Sequence, residues 1–465
     1  MRKIYMLFSG LLMLISGAGM AQYQVIMNFD STNGRLPEFS SLTLIGNTLY
    51  GAASFGGAKD SGVVFSVDSN GGSYNAMHQC SGASGTIPSG ALLPVGNWLY
   101  GVTVVGGAHD SGAIYRIHPD GSGYKDLFDF GATSGFQPLG KFVFSGSTLY
   151  GATFIGGALN GGVIYSIDTD GTGYNDLHDC VPATGVNANG NLVLAGNTLY
   201  GTFIGGGAND SGAIFSIHTD GSGFKDIFSF NGATGKYPRA AVTLSGNTLF
   251  GTTTNGGLLG LGVIYSIDTD GTGYNDLHDF LGSNGAVPYS NLSLSGTTLL
   301  GMTTSGGAND SGCIFSIQTN GGFYKDLHDF TGSTGYGPVL NSLTLSGENM
   351  YGITPGGGTK NDGVIFRFKD AALSVDNITA NSAGINVYPN PSKGVFTASI
   401  KNYEPGVANV EVYNVIGEKV FNSQLSTHNA QFSINLSGQP EGIYLYRAIA
   451  DNGELIGEGK LVIQK

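Results

Sequence analysis

From Tyr23 to Lys369 the chain is built of short apolar runs rich in β-branched and aromatic residues, each bounded by Gly, Asn, Asp or Ser. Four kinds of run recur in a fixed order. The first alternates apolar and polar positions and ends in Ser-Gly, as at Asn291 to Gly296. The second reads Asn-Thr-Leu-Tyr-Gly-Thr at 197–202, the third Gly-Val-Ile-Tyr-Ser-Ile-Asp at 162–168, and the fourth Tyr-Asn-Asp-Leu-His-Asp-Phe at 274–280. Runs of this length and composition between turn formers predict β-strands. Beyond the first twenty residues no segment keeps an apolar repeat at helical spacing. The connections are mostly tight turns of a few residues, which favour antiparallel neighbours.

The whole set returns every 50 residues, seven times, marked by a hydrophobic-Gly pair: Tyr50-Gly51, Tyr100-Gly101, Tyr150-Gly151, Tyr200-Gly201, Phe250-Gly251, Leu300-Gly301 and, after a one-residue slip, Tyr351-Gly352. A fixed period of this length predicts a propeller or a solenoid and places function on loop faces. Runs of the fourth kind lie at 74–80, 124–130, 174–180, 224–230, 274–280 and 324–330, but the seventh unit stops after its third strand, Val364 to Lys369. The missing strand lies at the other end of the chain, at Tyr23 to Phe29. An N-terminal strand that completes the last unit closes a ring and leaves no open edge, whereas a solenoid needs polar caps at both ends. The expected fold is all-β: a seven-bladed β-propeller over residues 22–370, closed by an N-terminal strand, and then a small Ig-like β-sandwich over 385–465.

Composition agrees and narrows the partners. Only 11% of residues are charged, 79 are glycine and 41% are hydrophobic, which suits turn-dense all-β structure rather than disorder. A formal net charge of −13 without a Lys or Arg cluster excludes nucleic acid and anionic membrane as partners. At the N-terminus Arg2 and Lys3 precede an apolar run, Ile4 to Ile15, and then Gly19-Met20-Ala21. This is the pattern of a signal peptide over residues 1–21. Its apolar stretch is too short to span a membrane, no lipid-accepting Cys follows it, and no transmembrane segment is expected in the mature chain. Cys80, Cys180 and Cys313 are odd in number; Cys80 and Cys180 lie two repeats apart, so all three are expected as small buried hydrophobes.

Near Asp370 the repeat pattern stops. Residues 371–384, rich in Ala, Ser and Asn, read as a linker, and strand-like runs resume at Val395 to Ile400, Ala408 to Val415, Gln431 to Leu436 and Gly442 to Ala448. In this region Tyr388-Pro389-Asn390-Pro391, Lys393-Gly394-Val395-Phe396, Val410 to Gly417, Ile434-Asn435-Leu436, Gly442 to Tyr446 and Gly459-Lys460-Leu461-Val462 together resemble the type A sorting domain of type IX secretion. That resemblance implies the type IX secretion machinery as a partner and passage across a Gram-negative outer membrane, with release or attachment at the cell surface. The propeller repeats, in which Leu-Tyr-Gly-Thr, Gly-Gly, Asp-Ser-Gly and Ile-Phe-Ser-Ile recur, are similar to the tandem GloVer-type repeat of exported bacterial proteins. This second resemblance implies location and architecture, not an activity.

Candidate chemistry is sparse. Asp168 and Asp170, and again Asp268 and Asp270, surround a Gly turn and offer oxygens to calcium, but the equivalent turns begin with His118, His218 or Gln318 and no bidentate Glu closes them. Asp-Gly is also a strong hairpin-turn signal, so turn formation is the preferred reading and no cofactor is required. Strand alternation puts Asp326 and His328 on one face with Tyr324 and Phe330, a pair expected to be structural because it recurs in several repeats. The second-to-third strand turns carry Asp60, Asp110, Asp210 and Asp310 at one position. In the usual propeller winding they share a face with the inter-repeat connections, which hold Phe136, Lys236, Tyr237, Arg239, Tyr289 and Tyr336. Aromatic faces beside carboxylates suit recognition of an extracellular glycan or a polar protein loop.

Catalysis has little to stand on: no catalytic residue is assigned. Glu38 and Glu348 fall in different connection types, and Gly162 to Asp179 repeats identically as Gly262 to Asp279. Asp362, Glu38 and Lys360 are the nearest repeat-breaking candidates for a carbohydrate-cleaving site. The expected function is a non-catalytic binding module at the cell surface or released from it, with an adhesive protein scaffold as the alternative.

Overall fold

The computed structural model describes residues 22–370, 385–390, 392–400, 408–414, 418–425, 431–450 and 455–464. The chain divides into two compact units, Met1–Leu373 and Ser374–Lys465. The signal-peptide, linker and Pro391 expectations lie outside the described residues. Among those residues there is no α-helix, only the 3-10 turn Gly82–Ser84, and no helix long and apolar enough to cross a membrane.

In the first repeat, strands β2 (Thr43–Ile45), β3 (Thr48–Ala53), β4 (Val63–Asp68) and β5 (Asn75–Gln79) form one antiparallel sheet in chain order. Each later repeat builds the same sheet, with the entering strand lengthened or split in places (Thr86–Val95, Phe136–Pro138, Val186–Ala188). The last sheet takes its fourth strand from β1 (Gln22–Asn28), which pairs with Val364–Lys369 from Gln22↔Lys369 to Asn28↔Val364. The described residues before 371 thus form seven antiparallel sheets. The hairpin between third and fourth strands is closed by short bonds, Asp168 N–H to Thr172 O and Gly171 N–H to Asp168 O, each 2.9 Å. Gly171 there has φ +92°, which only glycine adopts without strain.

Apolar residues pack between successive sheets rather than within one. Tyr50, Val64, Met77 and Cys80 of the first repeat meet Leu92, Leu99, Tyr115 and Ile117 of the second. The last sheet meets the first in the same way, through Tyr351, Ile353 and Ile365 against Leu42, Leu49, Phe65 and Val67, with Phe29 among them. Hydrogen bonds repeat the scheme. Thr43 Oγ1 donates to Leu92 O (2.6 Å), Thr243 Oγ1 to Leu292 O (2.6 Å), and Thr344 Oγ1 returns to Leu42 O (2.5 Å). Likewise Tyr124 donates its hydroxyl to Ser84 O (2.7 Å) and Tyr274 to Thr234 O (2.7 Å), while Tyr23 from β1 donates to Thr334 O. All three cysteines are buried and free, as small hydrophobes would be.

The fourth strands differ from simple alternation. In every sheet one extra residue bulges out: Phe315 pairs with Asp326 and Ile314 with His328, so Leu327 is left over. Asp326 and His328 therefore stand on opposite faces, not one. Tyr324 lies with Phe315 against the preceding sheet, whereas His328 stacks on Tyr23 with ring centroids 4.0 Å apart. The same stack joins His78 to Tyr124, Phe128 to Tyr174, His178 to Phe224, Phe228 to Tyr274 and His278 to Tyr324, at 3.6 to 4.7 Å. The histidines are inter-sheet packing groups, and burial lowers the pKa of His78, His178, His278 and His328.

The second unit is a two-sheet sandwich. Ile385–Tyr388, Val395–Ile400 and Gln431–Asn435 form one sheet. Lys419–Leu425, Ala408–Tyr413, Gly442–Ala450 and Leu455–Ile463 form the other. Phe396, Ala398, Ile434 and Leu436 from the first face Val410, Val412, Tyr444, Tyr446, Leu461 and Ile463 from the second.

Candidate ligand-binding face

Two sets of loops meet on one side of the repeat unit. The connection entering each repeat bonds to the second-to-third strand turn of the repeat before it: Ile87 N–H to Ser61 O (3.0 Å), Tyr237 N–H to Ser211 O (2.9 Å), and Leu36 N–H to Asp362 O (2.9 Å) from first repeat to last. It also bonds to the turn of its own repeat, as Lys236 N–H does to Asn255 O at 2.7 Å. The donor that reaches backward is held in the left-handed region, at φ 48° for Leu36, 56° for Ile87 and 58° for Tyr237, and a proline usually follows it.

The four turn aspartates are tied to their own loops. Asp60, Asp110, Asp210 and Asp310 sit at φ 49–54°, and the Oδ1 of each accepts the amide of the glycine four residues earlier, at 2.9–3.1 Å. Asn160 and Asn361 do the same at 3.2 Å, and Gly260 takes the equivalent left-handed position in the remaining repeat. Asp60 alone has a cationic partner, Arg35, at 2.9 Å. That bond holds the Asp60 carboxyl below its ordinary range. Among the described residues no three His, Cys, Asp or Glu side chains group to hold a metal ion. Of the calcium candidates, Asp170 and Asp270 each accept the amide (2.9 Å) and hydroxyl (2.7 Å) of Thr172 or Thr272 through Oδ1, and Asp168 and Asp268 accept the hydroxyls of Thr148 and Thr248. The first pair of bonds shapes the turn, and the second joins cross-strand partners of the second and third strands.

The aromatic candidates divide. Phe136 is half-buried in a strand pair with Ile155, and Tyr336 is 38% exposed with its ring laid over Gly356. Tyr237 and Arg239 are brought together with Lys236 and, across the boundary to the next repeat, with Tyr289. The Lys236 ammonium lies 4.6 Å from the Tyr237 ring centroid. The Arg239 guanidinium lies 5.2 Å from Tyr289 and 6.0 Å from Tyr237. Cation–π contacts of this kind hold a charge in place without neutralising it. Burial raises the Tyr289 pKa, opposed by Arg239, so the phenol stays neutral. In other repeats the Arg239 position holds Glu38, Ser89, Leu139, Asn189, Tyr289 or Val339. The position thus varies throughout, and only here does it carry a cation, set between the Tyr237 and Tyr289 rings.

Beside Arg239 the entering segments converge on a cavity of about 10 Å³, lined by residues of five repeats including Phe39, Ser89, Leu139, Asn189 and Leu340. Asn189 spans the repeat boundary by donating to Arg239 O, while its own Oδ1 is buried without a partner. Glu38, in the Arg239 position of the first repeat, has its pKa raised by burial. Asn189, Asn191 and Lys141 of this region carry no signal in the sequence that singles them out. Lys141 keeps a water-exposed side chain but is sufficiently enclosed that desolvation lowers its pKa. Its backbone amide donates to Asn191 Oδ1 at 2.8 Å.

In the second unit, the sorting-motif residues do structural work at the strand entry. Asn390 Oδ1 accepts Val462 N–H (2.8 Å), and Gly394, at φ +107°, passes so close to Ser437 that a Cβ would meet its backbone at 2.8 Å. Tyr388 is exposed and Pro389 adjoins it.

Comparison with known proteins separates the two units. The Gloeobacter/Verrucomicrobia repeat matches residues 14–215, 144–268 and 196–403. The secretion system C-terminal sorting domain matches 386–464. No curated protein matches the chain in sequence. Among solved structures, the tricorn protease is similar at TM-score 0.34 and 11% identity over 90% of this chain, which spans only 44% of that one. A candidate 6-phosphogluconolactonase from Bacteroides uniformis is similar at TM-score 0.40 and 12% identity, over 81% of this chain and 96% of that one. The chain belongs to the Gloeobacter/Verrucomicrobia repeat family and carries a C-terminal sorting domain that directs it through type IX secretion, across the outer membrane, to the cell surface or the extracellular space.

Proposed function

We propose that, after removal of residues 1–21 as a signal peptide, residues 22–370 form a closed seven-bladed propeller that binds an extracellular glycan on its loop face without cleaving it. The observation that carries this reading is the Lys236, Tyr237, Arg239 and Tyr289 cluster, which gathers two aromatic rings and two cations on loop positions that differ from repeat to repeat. Seven similar blades supply a rigid frame, and the loops on it supply recognition. Export to the outside of the cell puts polymeric carbohydrate within reach.

The test is saturable binding of the exported protein to an immobilised saccharide panel, repeated with Tyr237→Ala combined with Arg239→Ala. The double variant should lose at least about tenfold in affinity, since each hot-spot side chain contributes roughly 1–2 kcal/mol. A blank from folded protein across the panel would end the glycan reading. It would favour a protein-binding scaffold instead, for which Leu258 and Leu259, 74% and 57% exposed side by side on a loop of the fifth repeat, are the docking residues.

A further inference from the structure

We infer that the Lys236–Arg239 cluster recognises a carboxylate-bearing saccharide rather than a neutral one; this rests on the glycan reading above and sharpens it. A neutral pyranose needs a free aromatic face to lie on. Here the rings are already engaged: the Tyr237 centroid has Lys236 Nζ at 4.6 Å and Arg239 Cζ at 6.0 Å, and Tyr289 has the same guanidinium at 5.2 Å. The rings act as supports for the half-buried cations, with Arg239 also hydrogen-bonded to Tyr289, so the cluster offers the remaining N–H donors and positive charge to a ligand.

That charge is unclaimed. Among the described residues the ion pairs of this unit are Arg35–Asp60 and Lys369–Glu348, and neither Lys236 nor Arg239 makes one. On a chain of net charge −13, two uncompensated cations within 6.0 Å of one ring are an exception to the surface around them. A guanidinium offers a planar fork of donors matched to a carboxylate, and stacking on Tyr289 fixes that fork before the ligand arrives. Lys236 adds a second, less directional contact, fit for a neighbouring acidic sugar or ring hydroxyl. The sugar class is therefore a uronate, read by its carboxylate.

The test titrates the full exported chain with tetragalacturonate and, separately, with its methyl ester, which keeps the rings and hydroxyls but removes the charge. The acid should bind at least about tenfold tighter, and raising sodium chloride from about 0.05 M to about 0.5 M should erode that preference. Arg239→Gln should abolish it, Lys236→Gln should weaken it, and Tyr237→Phe, which keeps the ring, should leave it intact at an unchanged thermal midpoint. Equal binding of acid and ester, or binding of neutral saccharides alone, overturns the uronate assignment and leaves glycan binding standing. An acid preference that survives both charge substitutions also overturns it, by placing the recognition elsewhere. Failure to bind either probe or any neutral saccharide removes the glycan reading itself.

Discussion

The glycine that marks each repeat lacks a side chain because an aromatic ring already fills the space. Gly201 pairs across the sheet with Phe215, and a Cβ there would lie 2.6 Å from Phe215 Cζ and 2.8 Å from Leu192 Cδ2. Its φ is not left-handed, so the constraint is volume rather than backbone conformation. The sign of one substitution tests this. Where space allows, Gly→Ala in a folded chain stabilises slightly; here Gly201→Ala should destabilise by about 1–3 kcal/mol through overpacking. A urea midpoint unchanged or raised would refute it. The marker was plain in the sequence, but its cause was not, because Phe215 becomes its partner only once the hairpin is registered. The same holds for the candidate site. Lys236, Tyr237 and Arg239 stand together in the chain, whereas Tyr289 joins them from 50 residues on, when neighbouring sheets lie side by side.

Among elements, the fourth strand departs furthest from the sequence pattern. Period-two alternation placed Tyr324, Asp326 and His328 on one face, and the bulge at Leu327 turns the strand between them. One strand thereby shows an aromatic ring to the sheet behind it and another to the sheet ahead. Nothing in Lys-Asp-Leu-His-Asp announces an unpaired leucine, since a bulge is a property of the pair and not of the strand. The turn also crowds carboxylates. Asp126 has a buried oxygen without a partner, and burial, aided by the nearby charge of Asp129, pushes its pKa up to about 6. A carboxyl whose folded pKa is raised binds protons more tightly in the folded state, so its cost is present above pH 6 and fades as pH falls toward the unfolded value. Asp126→Asn should therefore stabilise the protein at pH 7.5 and lose that advantage by about pH 4. The gain should be below about 1 kcal/mol, because water still reaches the group. Thermal midpoints of both forms across that range decide it, and an advantage that grows in acid would refute the assignment.

At the scale of the whole molecule, strand order was legible because the seventh unit lacked a fourth strand and the N-terminus supplied one. Two units were legible from the composition change near Asp370, although the strands at Lys419–Leu425 and Leu455–Ile463 were not, their runs being less regular. In the proposed ring β1 is the clasp. Deleting residues 22–29 removes the Tyr23 stack on His328, the Tyr23 bond to Thr334 and the pairing along Val364–Lys369, exposing an apolar edge. The truncated chain should fail to give monomeric folded protein, while Tyr23→Phe, which loses one hydrogen bond, should fold and cost about 1 kcal/mol. Gel filtration and melting curves separate these outcomes, and a monomeric, cooperative truncation would dismiss the clasp.

The clasp also sets a condition on how copies of this protein meet. Gln24 bonds to Arg367 across 343 positions, and bringing ends so far apart together costs about 5 kcal/mol in chain entropy. A second molecule offers the same edge without that long closure. Where unfinished chains are dense, as at a secretion exit, the N-terminal strand of one is free to complete the last sheet of another, linking molecules by strand exchange into dimers or open chains. Tethering each chain singly as it emerges favours closure on itself, and the balance between solitary and interlinked forms then depends on how crowded the surface is.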